Sequence, residues 1–511
     1  MTQRKLFRTV ALTPRSQCSG SPSASLLVLY IFVFFAATAI SSQAQTFTTL
    51  TSFDRANGAQ PNQSLLQGLD GNLYGTTPQG GANSAGTVFK ITPAGTLITL
   101  YSFCAQANCA DGKSPAAPLM LASNGNFYGT TIAGGTNSSG TVFEITNAGK
   151  LTTLYNFCSQ ANCSDGFFPE AGLLQATDGN LYGTTNGGGA NGYGTIFEIT
   201  PSGKLTAVYN VCNQNNCGEF PEAGLVQTSN GNFYGLTPLG GENGWGTVFE
   251  VTPNGTLTIL YSFEDHFDGG NPRTGLMQAA NGLLYGSDLI GGATHNAYCE
   301  TGCGTIFQVT PGGQVSTVYS FCSKSNCADG IGPFGGLIQA TDGNFYGTTT
   351  AGGTYPAICE GGCGTAFELT PAGQLTTLYN FCSQSHCFDG SGPYPALVQS
   401  TNGTFYGTTY FGGTGNACSG GCGTVFSLSV GLGPFIETVP TSAKVGAKVI
   451  ILGNNLTGTT SVTFNGTAAS FTVVSSTEIT ATVPAGATTG EVKVITPSGS
   501  LKSNVPFRVM D

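Results

Sequence analysis

Charge is what this chain most lacks: Asp, Glu, Lys and Arg make up only 8% of its 511 residues, against roughly a quarter in ordinary globular proteins. Coiled coils and long solvated helices, which are built from Ala, Glu, Lys, Leu and Arg, are thereby excluded. The 16 basic side chains face 26 acidic ones, for a net charge of -10. A basic stripe able to neutralise phosphates is therefore missing, and no nucleic-acid partner is expected. Trp occurs once and His three times, so repeated Trp-Asp or tryptophan-docking signatures cannot be present. The chain has no G-x-S-x-G elbow, phosphate loop or H-E-x-x-H pattern, and neither a cofactor nor a metal is expected. No apolar run of membrane-spanning length follows residue 40.

What is plentiful is Gly, at 77, with 24 Pro, 17 Cys and 40% hydrophobic residues. Disordered chains are poor in hydrophobic and aromatic residues, so this one is expected to fold. Its first segment is distinct. Arg4, Lys5, Arg8 and Arg15 precede the apolar run from Leu26 to Ile40, and small residues follow at Ser42 and Ala44. This is the pattern of a secretory signal peptide over residues 1–44, with an uncleaved anchor as the alternative. Its removal discards Cys18 and four basic residues, leaving a net charge of -14. The mature chain is expected to be extracellular or held at a cell surface, with no transmembrane segment. Its oligomeric state is open.

Beyond residue 45 the chain repeats itself. Tyrosines in Asn-[Leu/Phe]-Tyr-Gly or a near variant recur at Tyr74, Tyr128, Tyr182, Tyr234, Tyr285, Tyr346 and Tyr406. Within each unit four strand-length runs are separated by turns, as in GLLQAT, LYGTT, GTIFEIT and KLTAVYNV between residues 172 and 211. Asp-Gly or Asn-Gly steps such as Asp178-Gly179 are expected to form two-residue type I′ hairpins. Thr-Pro-x-Gly at Thr92, Thr200, Thr252, Thr310 and Thr370 marks a second turn, in which Pro presets φ and Gly takes the left-handed position. Seven four-stranded units predict an all-β, seven-bladed β-propeller over 45–430. The seventh unit lacks its fourth run, while residues 47–53 (FTTLTSF) supply one, so an N-terminal strand is expected to complete the last blade and remove its open edge. A β-solenoid is the alternative.

The repeat resembles the Gloeo/Verruco (GloVer) tandem repeat through Asp-Gly-Asn-Leu-Tyr-Gly-Thr-Thr at 178–185, Gly-Gly at 134–135, Gly-Thr-Val-Phe-Glu-Ile-Thr at 140–146 and Leu-Thr-Thr-Leu-Tyr-Asn-Phe at 151–157. That resemblance implies an exported repeat protein and no particular activity. A Gly-rich joint at 431–433 leads to a cysteine-free segment, 434–511, whose short strand-like runs alternate with turns as in a small β-sandwich. It resembles an IPT/TIG domain, an immunoglobulin-like fold, through Pro440, the run 449–456 (VIILGNNL), 462–466 (VTFNG), 483–486 (VPAG) and 494–499 (VITPSG). In exported proteins such a domain implies a spacer or binding module.

The 16 remaining cysteines form close pairs. Cys104/Cys109, Cys158/Cys163, Cys212/Cys217, Cys322/Cys327 and Cys382/Cys387 are C-x4-C, each just after a fourth strand. Cys299/Cys303, Cys359/Cys363 and Cys418/Cys422 are C-x3-C, each just before a third strand. An even count in an exported chain reads as disulfides. The alternative is zinc, because Cys299, Cys303, Cys322 and Cys327, and again Cys359, Cys363, Cys382 and Cys387, give C-x3-C-x18-C-x4-C. Three units carry a single pair, which has to be satisfied alone, and this favours disulfides. Connectivity stays open, since two pairs in one blade could cross-link.

In a four-stranded meander the loop between strands two and three and the connection to the next blade lie on one face, so every pair falls there. The opposite face has only tight turns. Ligand recognition is expected on the stapled face, where stiffened loops vary on a fixed scaffold. Glu170 and Glu222, both in Pro-Glu-Ala-Gly-Leu, are candidates for the channel mouth. Tyr193 and Trp245 replace small residues before a third strand and are candidates for an aromatic platform under a sugar ring. His266, Asp268 and Arg273 lie in the charged connection 264–273, which has no cysteine. Repeated Asp-Gly at Asp111, Asp165, Asp268, Asp329 and Asp389 reads as turn formation, with calcium as the alternative. These features predict a non-enzymatic binding or adhesion protein for a glycan or a cell-surface protein. The alternative is a polysaccharide-active hydrolase or lyase using two of the carboxylates.

Overall fold

The computed structural model describes residues 45–211, 217–264, 268–295, 297–354, 359 and 361–510. The expected signal segment, Cys212 and His266 lie outside them. Among the described residues the chain is built of strands, with four single turns of 3-10 helix at Ala107–Cys109, Ala161–Cys163, Ser325–Cys327 and Ser385–Cys387.

Each repeat forms one four-stranded antiparallel sheet, and seven such sheets follow one another along the chain. In the third, Leu174–Gln175, Leu181–Thr185, Thr195–Ile199 and Leu205–Asn210 pair in sequence order. The second strand is buried at every position and the third at all but one. Sheets that stack face to face cover both sides of their central strands, which explains continuous apolar and Thr-rich runs in place of alternation. The fourth strand carries one extra residue, visible as a register shift between Ile196 and Phe197, and this bulge adds twist where the chain leaves the sheet. The first strand is only two residues long, shorter than the GLLQAT run suggests. Its upstream residues turn away from the second strand to line a cavity.

The Asp-Gly turns differ from the expected type I′. Gly179 has φ 87° while Asp178 stays out of the left-handed region. The Ala176 N–H donates to Asn180 O and the Gly179 N–H to Ala176 O, the three-residue hairpin with a glycine bulge. Asp178 Oδ1 accepts from the Asn180 N–H at 2.9 Å, an Asx contact that holds the aspartate right-handed. Thr-Pro-x-Gly behaves as expected, with Gly203 at φ 91°.

Neighbouring sheets are joined in a repeating way. A Phe after six of the seven fourth strands, with Val211 in its place after the third repeat's, packs edge-on against the third-strand Phe of the next repeat, as in Phe103–Phe143 at 5.2 Å and Phe157–Phe197 at 5.3 Å. Each such pair adds about 0.5–1.5 kcal/mol beyond its burial. Glutamines at the end of the first strand reach back one repeat: Gln175 Oε1 accepts from Ser123 N–H, Gln227 Oε1 from Thr177 N–H and Gln399 Oε1 from Thr341 N–H.

The same contacts join the two ends of the array. Thr46–Ser52 pairs antiparallel with Thr424–Ser429 as the fourth strand of the last sheet. Phe53 then packs on Phe89 of the first repeat at 5.2 Å. Gln67 of the first repeat accepts from Ser400 Oγ and Thr401 N–H of the last, and donates to Thr401 Oγ1, each at 2.8 Å.

Residues 434–510 form two four-stranded antiparallel sheets. Lys448–Leu452 and Glu478–Thr482 are central in one, Ser461–Phe464 and Val492–Thr496 in the other. Alternate residues point inward (Val449, Ile451, Ile479, Ala481 against Val462, Phe464, Val492, Val494) and make a closed apolar core. This module packs on the Asp-Gly turn side of the repeats, so that side is not bare. Leu452, Val439 and Ile450 join the cluster containing Leu66, Leu69 and Leu121. Thr477 Oγ1 donates to Leu69 O and Asn454 Nδ2 to Thr401 Oγ1, both at 2.7 Å.

Candidate functional site

Each repeat carries a proline just before its first strand, and the residue after it is Asn62, Ala116, Glu170, Glu222, Arg273, Phe334 or Tyr394 in turn. Pro cannot donate a ladder hydrogen bond, so the chain leaves the sheet there. All seven of these residues line one cavity of about 440 Å³. It opens on the side of the connections between repeats, which is the side of the cysteine loops. A single register position is thus fixed in backbone and variable in chemistry: two carboxylates, a guanidinium, an amide, two aromatic rings and one methyl group.

Glu170, Glu222 and Arg273 are brought together from three successive repeats. Arg273 Nη1 lies 2.8 Å from Glu222 Oε2, and the two side chains are 36% and 18% exposed. Arg273 Nε also donates to Asn271 Oδ1 at 2.6 Å, which fixes the guanidinium plane. Asn186 Nδ2 donates to Glu222 Oε1 at 3.1 Å. Burial pushes Glu222 up, while Arg273 and the Asn186 contact pull it back. Among the described residues Glu170 has no hydrogen-bond or ion-pair partner of that kind. Burial first and the neighbouring Glu222 second raise its carboxyl to about 6, against a smaller lowering by Arg273. The cavity therefore holds one carboxylate locked to arginine and one poised to exchange a proton near neutral pH. Asn62 Oδ1, on the same wall, is buried with no hydrogen-bond partner among the described residues.

The other sequence candidates lie elsewhere. Tyr193 and Trp245 end the loops between second and third strands, bridging Gly188 and Gly240. The Tyr193 ring packs 5.6 Å from Phe220, and Trp245 lies against the cluster of Tyr234, Leu236 and Phe263. Neither lines the cavity. Asp268 accepts from Tyr261 OH and the Glu264 N–H within its own loop. Its counterparts behave alike: buried Asp165 accepts from Tyr155 OH, Ser159 N–H, Ser159 Oγ and Gln160 N–H. Asp111, Asp329 and Asp389 repeat the arrangement. These carboxylates organise the loop, as the turn reading anticipates. Sequence reasoning passed over Asn62, Phe334 and Tyr394. Their signal was the shared position after proline, which is visible once the repeats are aligned with each other.

The cysteine pairs close locally, answering the open question of connectivity. Cys104–Cys109, Cys158–Cys163, Cys299–Cys303, Cys322–Cys327, Cys359–Cys363, Cys382–Cys387 and Cys418–Cys422 are each bonded within the pair. Cys217 is also in a disulfide. The sulfurs of Cys359, Cys363, Cys382 and Cys387 lie within 4.8 Å of one another, so two disulfides abut beside the cavity side of the repeats. With both bonds formed these sulfurs carry no thiolate to offer a metal.

Fold and site together define a class: an all-β tandem-repeat protein whose four-stranded sheets share one polar cavity. The chain belongs to the Gloeobacter/Verrucomicrobia repeat family, which it matches over residues 34–175, 105–299, 158–354 and 289–483. No curated protein matches it in sequence. Among solved structures it is similar to the extracellular domains of two putative hybrid two-component systems from B. thetaiotaomicron. Identities are 11% and 13%, each with a TM-score of 0.49, covering 90% and 92% of this chain. It spans only 54% and 60% of those two chains. A putative 6-phosphogluconolactonase from Bacteroides uniformis is similar at 15% identity and a TM-score of 0.42, over 63% of this chain and 84% of that one.

Proposed function

We propose that this chain is an exported, non-enzymatic glycan-binding protein, and that its site is the cavity shared by the repeats. In this reading residues 45–430 close into a seven-bladed β-propeller. Residues 434–511 are an immunoglobulin-like module of the IPT/TIG type, and the disulfide-bearing loops form the outer rim of the recognition face. Closure is supported by Phe53 on Phe89 and by the Gln67 contacts with Ser400 and Thr401, which repeat between the ends of the array the junctions found between its neighbours. Export is supported by the local disulfides, which persist in oxidising compartments.

The observation that carries the function is the composition of the cavity wall. Carboxylates accept paired hydrogen bonds from vicinal hydroxyls and a guanidinium donates to ring and hydroxyl oxygens. Phe334 and Tyr394, whose rings meet edge-on at 5.4 Å, offer aromatic surface to the C–H face of a sugar. Loops stapled next to this wall lose little entropy on binding. A glycan array probed with residues 45–511 tests the reading. Saturable binding that is lost in Glu222→Gln and Arg273→Gln supports it. Binding to a surface protein with no glycan bound removes it.

A second reading is favoured by one observation, the unequal environments of Glu170 and Glu222. A carboxyl raised to about 6 beside one paired with a guanidinium is the kind of inequality by which a glycosidase divides acid from base or nucleophile. Release of reducing ends from an array-positive glycan, abolished by Glu170→Gln, would establish this reading over simple binding.

A further inference from the structure

A second cavity, of about 370 Å³, lies between the first-strand ends of the first four repeats and the C-terminal sandwich. Its size falls within the range of about 300–1,000 Å³ used by small-molecule sites. Leu121, Leu174 and Leu452 give it apolar walls. The glutamine amides on the repeat side are committed: Gln175 and Gln227 each accept from the preceding repeat and donate to their own turns.

The sandwich side is different. Glu437 and Arg508 both line the cavity, and among the described residues neither side chain has a hydrogen-bond or ion-pair partner, including each other. Glu437 pairs across the strands with Leu452, whose side chain faces the repeats, so the carboxylate is on the cavity face of the sheet. Burial raises the Glu437 carboxyl to about 7 and lowers the Arg508 guanidinium. Glu437 and Arg508 are half-buried, charges drawn partly out of water are costly unless paired, and two opposite charges held apart in one cavity are complementary to a molecule carrying both.

We propose that this cavity binds a small zwitterion with an apolar body, its ammonium on Glu437 and its carboxylate on Arg508. Free amino acids with large apolar side chains and short apolar peptides share that chemistry. They differ in the separation of their charges. The two cavities share Leu173 and Leu174 in their walls, and their charged groups are distinct: Glu170, Glu222 and Arg273 in one, Glu437 and Arg508 in the other.

Calorimetric titration of the full chain tests it with leucine, methionine, phenylalanine, the dipeptide Leu-Leu, isoamylamine and isocaproate. At least one zwitterion is expected to bind about tenfold more tightly than isoamylamine or isocaproate, which each carry one of its charges. The amino acid and dipeptide arms identify which source fits. Glu437→Gln and Arg508→Gln, with circular dichroism and melting retained, are each expected to weaken that ligand about thirtyfold or more. No zwitterion binding, amine binding equal to zwitterion binding, or wild-type affinity in both variants overturns the proposal. Should a variant fail to fold, the wild type soaked with the best zwitterion decides. Ammonium at Glu437 and carboxylate at Arg508 support the assignment, and a ligand seated elsewhere refutes it.

Discussion

Replacing Arg273 by Gln removes the guanidinium 2.8 Å from Glu222 Oε2 while keeping a side chain of comparable reach. Exposed ion pairs contribute about 0.2–1 kcal/mol, and breaking a buried pair costs about 3–5 kcal/mol. With the two side chains 36% and 18% exposed, the pair lies between these limits. After allowance for solvent screening the expected loss is about 1–2 kcal/mol. The loss depends on pH. In the wild type the Glu170 carboxyl titrates at about 6 in the folded chain against an ordinary 4.5. Its contribution therefore favours folding below 4.5 and disappears as pH rises through 6. Arg273 limits that disappearance by lowering both carboxyls, so its removal is felt above pH 6 and hardly at all near pH 4. A chain of this size loses only about 1 °C of melting midpoint per kcal/mol, so the expected drop is about 1–2 °C at pH 8. Side-chain carbonyl ¹³C titration is the sharper assay, with Glu170 moving above its wild-type value. An equal destabilisation at pH 4 and pH 8, or an unmoved Glu170 titration, would refute this account of the cavity.

Gln67→Ala removes three buried hydrogen bonds between the first and last repeats and is expected to cost about 2–4 kcal/mol. Denaturant titration should show Gln175→Ala, which loses one inter-repeat bond, costing less. Asp165→Ala leaves the Tyr155 hydroxyl and two loop N–H groups without their acceptor. About 1–3 kcal/mol is expected, with faster amide exchange confined to residues 158–166. Reduction of the disulfides is expected to cost no more than about 2 kcal/mol for each short loop. Far-UV circular dichroism should keep its strand signal in reductant while proteolysis of the cysteine loops accelerates, and loss of the strand signal would contradict the loops' local role.

Much of this was legible because the chain states it seven times. One repeat fixes little, but Tyr182, Gly183 and Phe197 recurring in order set strand lengths, and the missing fourth run of the last unit pointed directly at residues 47–53. The turn type was misjudged because Asp-Gly favours type I′ in isolation. Here the Asp178 side chain binds the Asn180 N–H and only the glycine goes left-handed. Glu170, Glu222 and Arg273 stood out as rare charges in a charge-poor chain, whereas Asn62, Phe334 and Tyr394 share their position without their chemistry. The docking of the sandwich onto the turn side had no sequence signal. It rests on contacts such as Thr477 with Leu69, 408 residues apart.

The structure of the complex with an array-selected glycan tests the central claim most directly. The account predicts the sugar inside the shared cavity, hydrogen-bonded to Glu170, Glu222 and Arg273 and stacked on Phe334 or Tyr394. A glycan bound on the outer cysteine loops or on the C-terminal sandwich, with that cavity empty, would contradict it.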